Sequence, residues 1–201
     1  KLKLKILVLS TCIISLLYFY EVIRFYAPTI RNLNINEPQL NEKTKRDLIQ
    51  ELKVDTGEYV VPSVFPKLLL DKKFVKKKND IFPLGGISNA ITVFCKEGDE
   101  YSIYTSDRYG FNNPDLEWHN KEIFWYLIGD SFTQGSCVLP GEDFASQIRM
   151  LTKQSAISLG MSGNGPLIEL ASLKEYGPQK KPQKVLWFYF ERNDLEDLRN
   201  E

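Results

Sequence analysis

The stretch "IFWYLIGDSFTQG", residues 123–135, joins an unbroken apolar run to a polar turn carrying Asp130 and Ser131. The run from Ile123 to Gly129 has the length of a strand, and its lack of polar alternation fits a strand buried on both faces. A serine placed directly after such a strand is either a nucleophile presented by the turn or a residue that caps the next helix. Which of the two it is depends on what the rest of the chain brings to the same edge.

Downstream, "EDFASQIRMLTK" (142–153) sets Phe144, Ile148 and Leu151 at i, i+4 and i+7, one face of a helix. "SAISLG" (155–160) is a short second strand. "PLIELASLKEY" (166–176) is a second helix, expected to stop at Gly177-Pro178. "KVLWFYF" (184–190) is a third strand, expected to be buried. The alternation of strands and helices predicts an α/β fold, a parallel sheet with helices on its faces. Ligands of such sheets bind outside the carboxyl ends of the strands. Three polar segments fall at those ends: Gly129-Asp130-Ser131, Gly160 to Gly165, and Glu191 to Asp194.

Upstream, "NAITVFC" and "EYSIYT" flank Lys96-Glu97-Gly98-Asp99 and read as a β-hairpin. "SDRYGFNNPD" (106–115) follows as an irregular segment. Tyr101, Tyr104, Tyr109 and Phe111 either stack on sugar rings at a pocket mouth or fasten the hairpin to the core. Residues 61–87 are broken by prolines and glycines and read as loops. Residues 27–60 read as a stalk with one helix near 41–53, where Leu48, Ile49 and Leu52 form a short apolar stripe.

At the N-terminus, Lys1, Lys3 and Lys5 precede the uncharged run from Ile6 to Tyr20. As a helix that run covers about 22 Å, short of a bilayer core of about 30 Å, and Val22 and Ile23 extend it. The positive flank and the aromatic residues after it fit a transmembrane anchor over 1–26; a cleaved signal peptide and a buried helix are the alternatives. The anchor reading makes everything after residue 26 extracytoplasmic, periplasmic or at the cell surface.

Of the 201 residues, 43% are apolar, with 26 basic and 26 acidic side chains. That balance gives no reason to expect a nucleic-acid partner. Lys67, Lys72, Lys73, Lys76, Lys77 and Lys78 crowd one stretch, which reads as a solvated face rather than a binding patch. Cys12, Cys95 and Cys137 show no C-x-x-C spacing, so no zinc site is expected, and a Cys95–Cys137 bridge is compatible with an oxidising compartment.

"GDSFTQG" (129–135), Gly163 in "MSGNG" and Asn193-Asp194 in "ERND" resemble the SGNH, or GDSL-type, serine hydrolases over residues 121–201. The resemblance implies a three-layer αβα, flavodoxin-like domain over 119–201. It preserves only the N-terminal part of that domain, preceded by the irregular and hairpin region 61–118. It also implies Ser131 as nucleophile and first backbone oxyanion donor, Gly163 as second backbone donor and Asn193 as side-chain donor, with Asp130 and Asp194 in support. The implied activity is ester hydrolysis or acyl transfer on an acylated glycan or lipid, without metal or cofactor. A non-catalytic glycan-binding or interaction module using the same cleft is the alternative.

The resemblance departs in two places. Glu191 stands where the third motif usually has glycine, and no late D-x-x-H segment follows. The single histidine, His119, precedes the first strand and so belongs to the other end of the fold. A short α/β unit and a first residue other than Met lead us to expect a fragment cut before its catalytic histidine.

Overall fold

The computed structural model describes residues 15–21, 43–69, 82–96 and 100–201. The chain divides into two compact units, Lys1–Glu42 and Lys43–Glu201. In the first, residues 15–21 are helical and exposed. The rest of the expected anchor, 1–14 and 22–26, lies outside the described residues. No helix among the described residues is long and apolar enough to cross a membrane.

The second unit is mixed α/β with two small sheets. It opens with α1 (Lys45–Thr56), within the segment expected to be a stalk. Thr44 and Asp47 form a reciprocal capping box, and Gly57 closes the helix at φ +68°. No α1 residue is fully buried, so local capping carries much of its stability.

The chain then enters β1 (Val60–Pro62), where loop had been expected, and a 3-10 turn at Pro66–Leu69. β1 pairs in parallel with β2 (Ile91–Lys96), which pairs antiparallel with β3 (Tyr101–Thr105) as the expected hairpin. The expected boundary near 118 is not a boundary between compact units, because the hairpin region and the α/β segment share one core. Phe111, Trp118, Ile123, Tyr126, Ile128, Ile157, Leu159 and Met161 are buried together there, with Phe65, Tyr109 and Tyr176 packed against them. Phe111 and Tyr109 therefore fasten the hairpin region to the core, the second of the two roles weighed for them.

The second sheet has the order β5-β4-β6, all parallel: β4 (Trp125–Ile128), β5 (Ala156–Ser158) and β6 (Lys184–Trp187). Alternation along β4 divides its side chains between two faces. Tyr126 and Ile128 cluster with Leu173 and Tyr176 of α4 (Pro166–Lys180), whereas Leu127 clusters with Ala145 and Ile148 of α3 (Phe144–Thr152).

Two expectations are corrected. α4 runs through Gly177 and Pro178 to Lys180, ending where Lys181 adopts the left-handed conformation and donates its N–H to Gly177 O at 3.1 Å. Pro178 and Lys174, whose carbonyl loses its usual N–H partner to the ring, are both exposed residues, a setting in which water softens the usual penalty. β6 is not buried: it lies at the sheet edge among the described strands, and Val185 and Trp187 stay 41% and 48% exposed.

The irregular segment after β3 is organised by Asp107, which is fully buried. Its Oδ1 accepts from the Tyr109 and Phe111 N–H groups at 2.9 Å each. Its Oδ2 accepts from Asn113 Nδ2 and Trp118 Nε1 at 2.8 Å each. Burial raises its carboxyl above the usual range, and these donors only partly oppose that. Asn113 in turn pairs with the β5 backbone, accepting from Ser158 N at 2.8 Å and donating to Ser158 O at 2.9 Å.

A disulfide between Cys95 and Cys137 ties β2 to the segment that follows the Ser131 turn.

Asp107→Asn is expected to lose about 3 kcal/mol or more in urea denaturation despite its near-identical shape, because its new amide N–H groups would face donors. Reducing or removing the Cys95–Cys137 bridge should cost up to about 4 kcal/mol, the loop entropy for a sequence separation of 42, read as a lower denaturation midpoint.

Candidate active site

β4 ends at Ile128, and the chain turns at Gly129 with φ +157°. A side chain at 129 would run into Thr133 Oγ1 and come within 3.0 Å of Phe188 O, so the turn requires glycine. Asp130 then caps the short helix α2 (Ser131–Gln134), its Oδ1 accepting from Phe132 N at 3.0 Å. Asp130 thus takes the capping role that sequence alone offered to Ser131. The Ser131 hydroxyl and backbone N–H meet no partner among the described residues. The hydroxyl is half-buried and free at the helix start, and no base among the described residues is bonded to it.

The glycines of the second segment separate into different roles. A Cβ on Gly160 would lie 2.5 Å from Gln134 N, and one on Gly165 would lie 2.8 Å from Leu198 N, so both glycines serve close packing. Gly163 has φ +73°, and its N–H has no acceptor among the described residues. It is the one of the three with a donor to spare. Gln134 fixes the neighbouring turn: its Oε1 accepts from the Ser162 N–H at 2.7 Å, while its Nε2 donates to the Tyr104 hydroxyl at 3.0 Å.

The third segment leads into α5 (Asp194–Leu198). Asn193 Nδ2 donates to Asp130 Oδ2 at 3.1 Å, a bond that joins the ends of β4 and β6 across 63 positions of sequence. The same nitrogen donates to Asp197 Oδ2 at 3.0 Å. Both amide hydrogens are therefore committed to carboxylates, and the buried Oδ1 has no partner. Facing two carboxylates with nitrogen rather than oxygen fixes the amide's orientation on electrostatic grounds. Asp194 is fully buried, accepts from Phe190 N at 2.6 Å and has its carboxyl pushed up by burial. Glu191 is exposed and does not fill the site.

Several participants were not anticipated. Lys67, taken as part of a solvated run, forms an ion pair with Asp197 Oδ1, and its stem covers Gly163. Asp197 lies one helical turn beyond Asn193, a spacing that would have disclosed it. Glu201 accepts from Gly165 N at 2.6 Å and Leu167 N at 2.9 Å, placing a carboxylate at the N-terminus of α4. No local pattern marks Lys67 or Glu201, since their partners are distant in sequence.

Glu169 of α4 is fully buried and accepts from Trp187 Nε1 at 2.6 Å. Burial, opposed by that bond and reinforced by the charges of Asp194, Asp130 and Glu201, raises its carboxyl from 4.5 to about 8. Beside this cluster an aromatic groove of about 430 Å³ is lined by Phe132, Phe144, Trp187, Phe188, Tyr189 and Phe190, with Asp130 at its edge.

His119 is exposed in the turn before β4. The carbonyl of its neighbour Asn120 accepts from Lys180 Nζ at 2.9 Å, at the end of α4 opposite Gly165. A helix of 15 residues separates those ends by about 22 Å, so His119 stands far from Ser131's surroundings. No group of three or more His, Cys, Asp or Glu among the described residues could hold a metal ion.

No family model, curated protein or solved structure matches the chain.

Because Glu169 keeps its proton in the folded state up to about pH 8 while an unfolded glutamate loses it near 4.5, stability should fall as pH rises between those values. The slope is at most about 1.4 kcal/mol per pH unit. Thermal melts from pH 4 to 9 should show Glu169→Gln with a shallower decline and a higher midpoint than wild type above pH 8.

Proposed function

We propose that the protein is a membrane-tethered, extracytoplasmic serine esterase of SGNH type that removes or transfers acyl groups, such as acetyl, from a glycan or lipid. The observation that carries this reading is the free Ser131 hydroxyl at the start of α2, beside a turn bonded through Asp130 to Asn193. The strand order β5-β4-β6, with helices packed against both faces of β4, supports a flavodoxin-like, three-layer arrangement for the domain. The Cys95–Cys137 disulfide supports an oxidising compartment, and the lysine-flanked apolar N-terminus supports the tether.

In the proposed reaction, Ser131 Oγ attacks the ester carbonyl carbon and its proton passes to a base. The Ser131 and Gly163 N–H groups stabilise the oxyanion, with Asn193 joining when one of its hydrogens is released. Collapse expels the alcohol, which takes the proton, and leaves an acyl-serine. Water, or an acceptor hydroxyl in a transferase, then attacks that ester and regenerates Ser131. His119 is too distant to be the base, so the reading assigns the base to a histidine outside residues 1–201. The reaction requires no metal or cofactor.

A second reading, a non-catalytic module binding glycan in the same cleft, draws on one observation: both Asn193 hydrogens are already held by carboxylates.

Incubating the full-length protein with a fluorophosphonate probe distinguishes the two. Covalent labelling that disappears in Ser131→Ala is expected; a wild-type protein that takes no label would favour the binding module.

A further inference from the structure

We propose that Lys67 is a positioning residue of this site, controlling through Asp197 whether the Asn193 amide can turn a hydrogen toward an oxyanion. The inference rests on the serine-hydrolase reading and adds to it a residue from the other sheet's connecting turn.

Asn193 Nδ2 carries only two hydrogens, bonded to Asp130 Oδ2 and Asp197 Oδ2. Donating to a substrate oxygen requires one carboxylate to let go. Asp130 Oδ2 has no other hydrogen-bond donor among the described residues and would be left unpaired in a 2% exposed side chain. Asp197 would still hold the Lys67 ammonium on its other oxygen. Asp197 is therefore the carboxylate that can release the amide at lower cost.

The cation also weakens the grip to be released. Charge drawn toward Lys67 makes Asp197 a poorer acceptor for Asn193, and it offsets a negative charge next to the place where an oxyanion forms. Without Lys67, a buried and unpaired Asp197 would hold the amide more tightly and repel the developing charge.

Lys67 is held where this requires. Phe65 packs against the main core, and the 3-10 turn Pro66–Leu69 that follows carries the lysine across the second strand-end segment. Its stem lies where a side chain on Gly163 would be, 2.7 Å from the position of a Cβ, so it also covers the turn that presents the Gly163 N–H.

The test compares fluorophosphonate labelling rates of Ser131 in the full-length protein for wild type, Lys67→Met, Lys67→Arg, Asp197→Asn and the Lys67→Met/Asp197→Asn pair, with thermal midpoints recorded alongside. Lys67→Met should slow labelling about tenfold or more and lower the midpoint, because it leaves Asp197 buried without its cation, and Lys67→Arg should restore most of both. In the Asp197→Asn background, Lys67→Met should change the rate less than about twofold, because the carboxylate through which it acts is gone. Equal rates for wild type and Lys67→Met, or an undiminished Lys67→Met effect in the Asp197→Asn background, would overturn the proposal.

A second readout does not depend on catalysis: the side-chain amide signals of Asn193 in a heteronuclear NMR spectrum, assigned with Asn193→Ala. They should move on Lys67→Met in the wild-type background and stay put in the Asp197→Asn background. If wild type takes no label, the esterase reading fails, and the positioning role of Lys67 is then decided by these signals alone. Signals that do not move would overturn it.

Discussion

The buried carboxylate of Asp107 is the interaction on which the rest of the second unit depends. A segment without regular hydrogen bonding cannot enter a core unless its polar groups are satisfied there. Asp107 accepts from two backbone N–H groups, an amide and an indole, using both oxygens. That lets Phe111 and Trp118 become core residues and positions Asn113 against Ser158. An asparagine side chain thereby occupies the edge of β5, where an unpaired strand would otherwise expose its ladder. The hairpin sheet and the parallel sheet become one body because one buried carboxyl group organises the chain between them.

The candidate site concentrates acids in the same way, and each is held by a different means. Asp130 is held by the Phe132 N–H and the Asn193 amide, and Asp194 by the Phe190 N–H. Asp197 has Lys67, Glu201 has the start of α4, and Glu169 keeps its proton beside Trp187. Burial is the main reason that Glu169's proton is retained so far above the ordinary glutamate range, and the grouped carboxylates of Asp194, Asp130 and Glu201 reinforce it. In the proposed reaction the free donors at Ser131 and Gly163 would act within a negative surrounding, which the Lys67 ammonium beside Asp197 would offset.

Local patterns made several elements legible. The apolar run before Ser131, the i, i+4, i+7 spacing of Phe144, Ile148 and Leu151, and the β-rich runs around residues 96–99 each report a periodicity that the backbone obeys, and β4, α3 and the hairpin follow. The convergence of three strand ends was legible too, since parallel strands must place their carboxyl ends at one edge. The end of α4 and the exposure of β6 were not. Gly177-Pro178 reads as a stop only if the lost hydrogen bond matters, and at an exposed position it matters little. "KVLWFYF" reads as buried only if something covers it, and apolar character does not say what does.

The sequence by itself determined the α/β rhythm of the chain and the identity of the groups offered at each strand end, because these depend on neighbours within a few residues. Tertiary structure alone decided which of those groups remain free. Whether Gly160, Gly163 or Gly165 keeps an unbonded N–H, whether Asn193 has a hydrogen to give, and whether a lysine from a distant turn lies against an aspartate are settled by contacts between residues tens of positions apart. Hydrogen-bonding capacity is a property of a residue, but its availability is a property of everything packed around it.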